Sequence, residues 1–141
     1  MIFYKNGRQL LWNFVSIKNH QKKLFTFNSK IMEAQQNTEV AFISKYLIPA
    51  ASKATFLERQ QIAATFISTL DGLISSHAYE RMTETGDTEY ITIATWVSEE
   101  AVSHAREAVN AENQRTGFNR AEMLQKLNIK MEPGLFREDL A

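Results

Sequence analysis

Along residues 39–138 the hydrophobic positions switch between a period of two and a period near 3.6, and each switch marks an element boundary. Glu39 to Ile48 alternates. Val40, Phe42, Ser44, Tyr46 and Ile48 share one face of a strand, and Ala41, Ile43, Lys45 and Leu47 the other. Pro49 ends it, because proline cannot donate to a sheet ladder. A helix is predicted, capped near Ser52 and ending near Leu70. Phe56, Ile62, Ala63, Phe66, Ile67 and Leu70 span an apolar arc of about 140°, a face that covers a sheet. Arg59, Gln60 and Gln61 are assigned towards the other side.

Gly72 breaks the helical pattern, and Leu73 to Arg81 reads as a second strand. Neither of its faces is purely apolar, so both are expected to meet protein or a cavity. Met82 to Asp87 carries turn chemistry, with Gly86 free to take positive φ. Tyr90 to Trp96 is rich in β-branched and aromatic residues, as strands are. Two such runs joined by a glycine-containing turn predict a hairpin. A second helix starts after Trp96, with Ser98 as N-cap and Glu99 and Glu100 at the positive end of its dipole. Ala101, Val102, Ala105, Ala108 and Val109 form a small-residue arc that can lie close to a sheet. His104 and Arg106 fall at its borders.

Glu112 to Gly117 reads as a polar connection. Asn119 with Glu122 resembles a capping box and Phe118 with Met123 a hydrophobic staple, so a short third helix begins there. Asn128 can end it in the left-handed conformation. A last strand starts at Ile129, with a bulge or edge bend expected at Pro133-Gly134 before Leu135 to Glu138. The order is βαββαβ with one inserted helix. This is the α+β, ferredoxin-like pattern, with helices on one face of an antiparallel sheet. The other face still carries apolar side chains and needs a second cover. A homodimer packed through the sheet faces would supply it.

The chain's 141 residues suit one domain, 37–141, with residues 1–36 as an N-terminal extension. That extension breaks the pattern. Residues 1–32 hold six basic residues and no acid, without sustained periodicity. They are read as a disordered extension or as upstream sequence from a start placed too early, with Met32 as the first true residue. The functional alternative is a basic arm that touches a partner. The net charge is zero, yet the rest of the chain holds 10 basic and all 16 acidic residues, a net of −6. An acidic body argues against nucleic acid as partner. No stretch approaches the roughly 20 apolar residues of a membrane span, and a cytoplasmic location is expected. With no cysteine, disulfides and thiolate chemistry are excluded.

Leu70-Asp-Gly-Leu73, Tyr90-Ile-Thr-Ile-Ala-Thr-Trp96 and Trp96-Val-Ser-Glu-Glu-Ala101 resemble the antibiotic biosynthesis monooxygenase (ABM) family of dimeric α/β barrels. The similarity covers about residues 39–138. It implies a dimeric ferredoxin-like fold and, among known members, cofactor-free oxidation of polyphenols by molecular oxygen or haem degradation. Many members have no known activity. Members often carry a His nine residues after the Trp; here Ala105 stands there, one place after His104. The haem-degrading branch uses an Asn on the first strand and a His late in the second helix, where this chain has Ser44 and, nearby, Arg115.

Cofactor-free oxygenation needs a base near neutral pKa, donors for an oxyanion, and aromatic walls. His77, Tyr79 and Trp96 are the candidate catalytic residues. Ser44, Tyr46, His104, Arg106 and Asn110 are the candidate contacts to a small aromatic molecule. Each has a plainer reading. His77 could be a packed or surface histidine, Trp96 a strand-end residue packed on the helix, Tyr79 and Tyr90 interface aromatics, and Arg106 a solvated charge. His20, His77 and His104 lack metal-ligand spacing, so no metal is expected. No phosphate loop, dinucleotide fingerprint or nucleophile elbow occurs, and no cofactor is implied. The resemblance thus implies a cofactor-independent monooxygenase acting on a small aromatic or quinol substrate. The alternative is a non-catalytic binding or structural dimer of the same fold. The two diverge on whether His77, Tyr79 and Trp96 face one cavity.

Overall fold

Alternation, capping and turn chemistry place almost every element where the pattern puts it. The structure, a computed structural model, describes residues 38–139. The expectations for residues 1–36 lie outside the described residues. The elements are β1 (Val40–Ile48), a 3-10 turn (Ala50–Ser52), α1 (Lys53–Ile67), β2 (Leu73–Met82), β3 (Thr88–Trp96), α2 (Glu99–Thr116), α3 (Arg120–Lys126) and β4 (Lys130–Phe136). The four strands form an antiparallel sheet in the order β2-β3-β1-β4. This is the ferredoxin-like α+β arrangement, with α3 as the insertion.

The strand register decides which side chains meet. Val40 pairs with Trp96, Phe42 with Ala94, Ser44 with Thr92, and Tyr46 with Tyr90. Successive side chains alternate between faces, so these pairs share the inner face, which the helices cover. Two apolar clusters fill the space between. One joins Val40 and Trp96 to Val102 and Ala105 of α2. The other joins Tyr46 and Ile48 to Phe56 of α1 and to Ile129, with Met123 and Leu124 of α3 against it. Phe56, Ile48 and Val40 are fully buried.

Two of the three expected N-caps hold, whereas Ser52 makes no cap bond to α1 and its Oγ donates instead to the Leu127 carbonyl at 2.8 Å. Ser98 Oγ accepts from the Ala101 amide at 3.1 Å, and Asn119 Oδ1 from the Glu122 amide at 3.0 Å. Asn128 takes a φ of 53°. Gly72 has a φ of +85°, and a Cβ there would sit 2.7 Å from the Ala101 Cβ. The turn between α1 and β2 can therefore pass against α2 only without a side chain.

Four further expectations are corrected. α2 continues through Thr116 instead of giving way to a connection at Glu112. Its last turn is held by the Arg115–Glu112 ion pair at 2.6 Å and by the Thr116 hydroxyl bonded to the Glu112 carbonyl at 3.0 Å, before Gly117 caps it at a φ of 73°. α1 stops at Ile67 rather than Leu70, as the Ser68 and Thr69 hydroxyls bond back to the carbonyls of Thr65 and Phe66 at 2.5 and 2.7 Å. Such bonds compete with helix continuation. Ile62, assigned to the core, is 52 % exposed, because it sits about 120° round the helix from Phe56. Finally, β4 pairs with β1 in unbroken register through Pro133 and Gly134. Pro133 is tolerated because β4 is an edge strand. The irregularity falls instead between Leu73 and Ser75 of β2.

Candidate functional site

The inner face carries a polar strip between its two apolar clusters. Ser44 is 2 % exposed, and its cross-strand partner is Thr92. Next along the same face lie Tyr46, 4 % exposed, and its partner Tyr90. Their rings meet edge to face, with centroids 6.2 Å apart, and both touch Phe56 of α1, at 4.9 Å from Tyr46 and 5.4 Å from Tyr90. The Arg120 guanidinium, at the start of α3, donates a hydrogen bond to the Tyr46 hydroxyl oxygen. The Tyr46 O–H is then left to donate elsewhere.

Tyr90 titrates above the ordinary phenol range. Burial is the main cause, followed by the charge of Glu80 and the neighbouring Tyr46. Glu80 pairs across the strands with Tyr90 and is bound to Lys53 of α1 at 3.2 Å. The strip is thus rich in donors and aromatic surface, which suits a planar, electron-rich anion.

The residues singled out from the sequence do not form one group. Trp96, Ser44 and Tyr46 lie on the inner face. His77 and Tyr79 lie opposite Ile93 and Ile91 on the outer face, and Tyr79 is 58 % exposed. The expected catalytic set of His77, Tyr79 and Trp96 is therefore split by the sheet within one protomer. The cause is parity: His77 pairs with Ile93, which is three positions from Trp96 along β3 and faces the opposite way. The His77 and Tyr79 rings lie 6.4 Å apart. His104, Arg106 and Asn110 are exposed on α2, although the Arg106 guanidinium reaches to 5.8 Å from the Phe42 ring centre. Two open hollows, of about 450 and 360 Å³, lie beside α1 and α3, and none of these candidate residues lines either. Among the described residues no group of His, Asp and Glu could hold a metal ion. No helix there is long and apolar enough to cross a membrane.

Two arginine contacts escaped the sequence pattern. Arg59 was assigned to the far side of α1, yet it lies only about 60° from Phe56 at helical spacing. Its guanidinium stacks on the Phe118 ring at 3.5 Å, and its Nε is buried without a hydrogen-bond partner. The i, i+3 spacing from Phe56 was the signal. Arg120 follows the Asn119 cap directly, but its contact with Tyr46 spans 74 residues and has no local signature.

The fold is shared with solved structures. The chain is similar to SnoaB, a cofactor-independent oxygenase from Streptomyces nogalater, at 23% identity and a TM-score of 0.53 over 74% of this chain and 96% of that one. It is similar to Rv0793 from Mycobacterium tuberculosis at 16% identity and a TM-score of 0.55, covering 73% of this chain and 99% of that one. A dimeric ferredoxin-like protein from an uncultured marine organism aligns at 11% identity and a TM-score of 0.51, over 73% of this chain and 97% of that one. No protein-family model matches the chain, and no curated protein matches its sequence. The resemblance to ABM proteins holds at the level of the fold.

Proposed function

We propose that this protein is a cytoplasmic, cofactor-independent monooxygenase of the ABM type, working as a homodimer on a small aromatic or quinol substrate. The observation that carries the reading is the donor strip on the inner face. Tyr46 is tied to Arg120, and beside it Tyr90 lies among aromatic rings. Such a strip stabilises a substrate oxyanion more than it pulls off a proton. The fitting substrate ionises readily, as anthrones and quinols do, and the site's donors favour that ionisation. The anion then passes electrons to molecular oxygen. In an anthrone, the ring CH₂ becomes a carbonyl that keeps one oxygen atom, and the other leaves as water. The four electrons come from the substrate, so the balance needs no further reductant.

The outer sheet face supports the dimer. Ile43, Leu47, Ile91 and Ile93 are only half-buried there, and Tyr79 and Phe136 are exposed. The dimeric neighbour of the same fold agrees with this. A second reading, a non-catalytic small-molecule binder, draws on the separation of His77 and Tyr79 from Trp96.

Oxygen uptake by the full chain against a panel of quinols and anthrones, with no flavin, metal or haem added, separates the two readings. Uptake above the spontaneous rate is expected, falling about 100-fold in Tyr46→Phe through loss of an oxyanion donor. His77→Ala, on the opposite face, is expected to keep it. Aromatic binding without uptake across the panel would move the protein to the second reading. Uptake lost in His77→Ala with the dimer intact would move the chemistry to the outer face.

A further inference from the structure

Strand pairing lays out the outer face row by row. One row runs Gly134, Ile43, Ile93 and His77 across β4, β1, β3 and β2, and the next runs Glu132, Lys45, Ile91 and Tyr79. The Phe136 ring leans over Gly134, where a Cβ would sit 2.7 Å from it, so the apolar surface reaches the β4 edge. At the other edge it ends on His77, which is exposed. Most charges on this face come in opposite pairs. Glu132 stands across from Lys45, and Glu89 is bonded to Arg81, while Lys130 lies at the end of β4, across from Leu47. Glu80, next but one to Ala78 on β2, faces the inner side and binds Lys53. His77 makes no ion pair among the described residues, and its ring neighbour is Tyr79.

An apolar centre with margin charges largely matched inside each protomer suits a second copy of the same face, because little charge is left to repel its twin. An isologous contact presents every residue twice, so a charged His77 would carry two imidazolium groups into it without a counter-charge. Histidine is the side chain whose ordinary charge change falls between about pH 5 and 8. The hydrogen bond from Arg81 holds the Glu89 carboxyl below its ordinary range, so that pair stays matched through this window. We infer that the outer face is a two-fold interface between copies of this chain, and that protonation of His77 opens it. This rests on the homodimer proposed above and adds its regulation. Loss of water on association disfavours the charged imidazole. Association is therefore full above the ordinary histidine value, near about 6.5, and is lost as pH falls below it.

The test is sedimentation velocity of the full chain, in dilution series at constant ionic strength, from about pH 8 to about pH 5.5. The dimer dissociation constant is expected to rise at least about tenfold across that range, since each proton taken up contributes up to about tenfold per pH unit. His77→Gln stays neutral and should hold the dimer at the acid end. His77→Lys should weaken it at every pH. His20→Gln and His104→Gln should keep the wild-type response, and its loss in either would overturn the assignment to His77. The near-ultraviolet circular dichroism should be unchanged at the acid end. Its collapse there would assign dissociation to unfolding and overturn the switch. A dimer of constant affinity, or a full response in His77→Gln, would overturn the switch alone and leave the dimer standing. A monomer at every pH would remove the dimer reading and the switch with it.

Discussion

The two faces of one sheet, built from alternate residues of the same strands, have opposite characters. On the inner face Val40, Ser44, Tyr46 and Ile48 of β1 are buried under three helices. On the outer face Ala41, Ile43 and Leu47 are half-buried and Lys45 is exposed, with β2 adding His77 and Tyr79. The inner face is closed by the chain itself, so its polar atoms can be held in fixed relation to one another. The outer face is apolar without a cover among the described residues. The proposed chemistry draws on the first property, and the proposed dimer on the second.

The sharpest way to break the inner face is Phe56→Ala. Phe56 is 1 % exposed and touches both Tyr46 and Tyr90. Its loss should cost about 3–5 kcal/mol in denaturant unfolding, as large aromatic deletions from cores do. A cost under about 1 kcal/mol would mean that the inner cluster repacks freely and the donor strip is not held in place.

The matching change outside is Ile93→Lys. Ile93 lies between Ile43 and His77 on the open face. Sedimentation should show the dimer lost, while the near-ultraviolet signal of buried Trp96 is retained. A dimer that survives this charge would place the subunit contact elsewhere.

Gly72→Ala probes how the helices are set against the sheet. Positive φ and the 2.7 Å approach to the Ala101 Cβ act together, and the expected loss is about 1–3 kcal/mol in thermal or denaturant unfolding.

The smallest effect comes from the rim of the outer face, where Arg81 is bonded to Glu89. The hydrogen bond from Arg81 holds the Glu89 carboxyl below its ordinary range. A lowered folded-state value stabilises above the unfolded value, near about 4.3, and that contribution is lost as pH falls through the folded value. Arg81 is exposed and Glu89 partly so, and the gain is therefore screened and slight. Unfolding midpoints of wild type and Arg81→Ala should differ a little at neutral pH and converge in acid. A gap that stays constant in acid would assign the effect to packing.

Local chemistry made much of this legible beforehand. Strand parity in β1 placed Val40, Phe42, Ser44, Tyr46 and Ile48 on one face, and the structure keeps all of them there. Ser98 and Asn119 set helix starts through bonds within a few residues, whereas Gly117, expected to close a polar connection, instead caps α2. The site was only partly legible. The candidates Ser44, Tyr46 and Trp96 share the inner face, but His77 and Tyr79 fall on the outer one, because parity along β2 was not tied to parity along β3 until the register was known.

Element order, the Ser98 and Asn119 caps, the glycine turns and the ferredoxin-like class could be read from local pattern. Each of these follows from side-chain periodicity or from hydrogen bonds that close within one turn of chain. Tertiary structure alone decided which faces are shared, that Pro133 sits on an edge, that Arg120 reaches Tyr46, and that Arg59 is drawn in against Phe118. Those outcomes depend on strand register and helix placement, which arise from contacts between residues far apart in the chain. No local pattern encodes them.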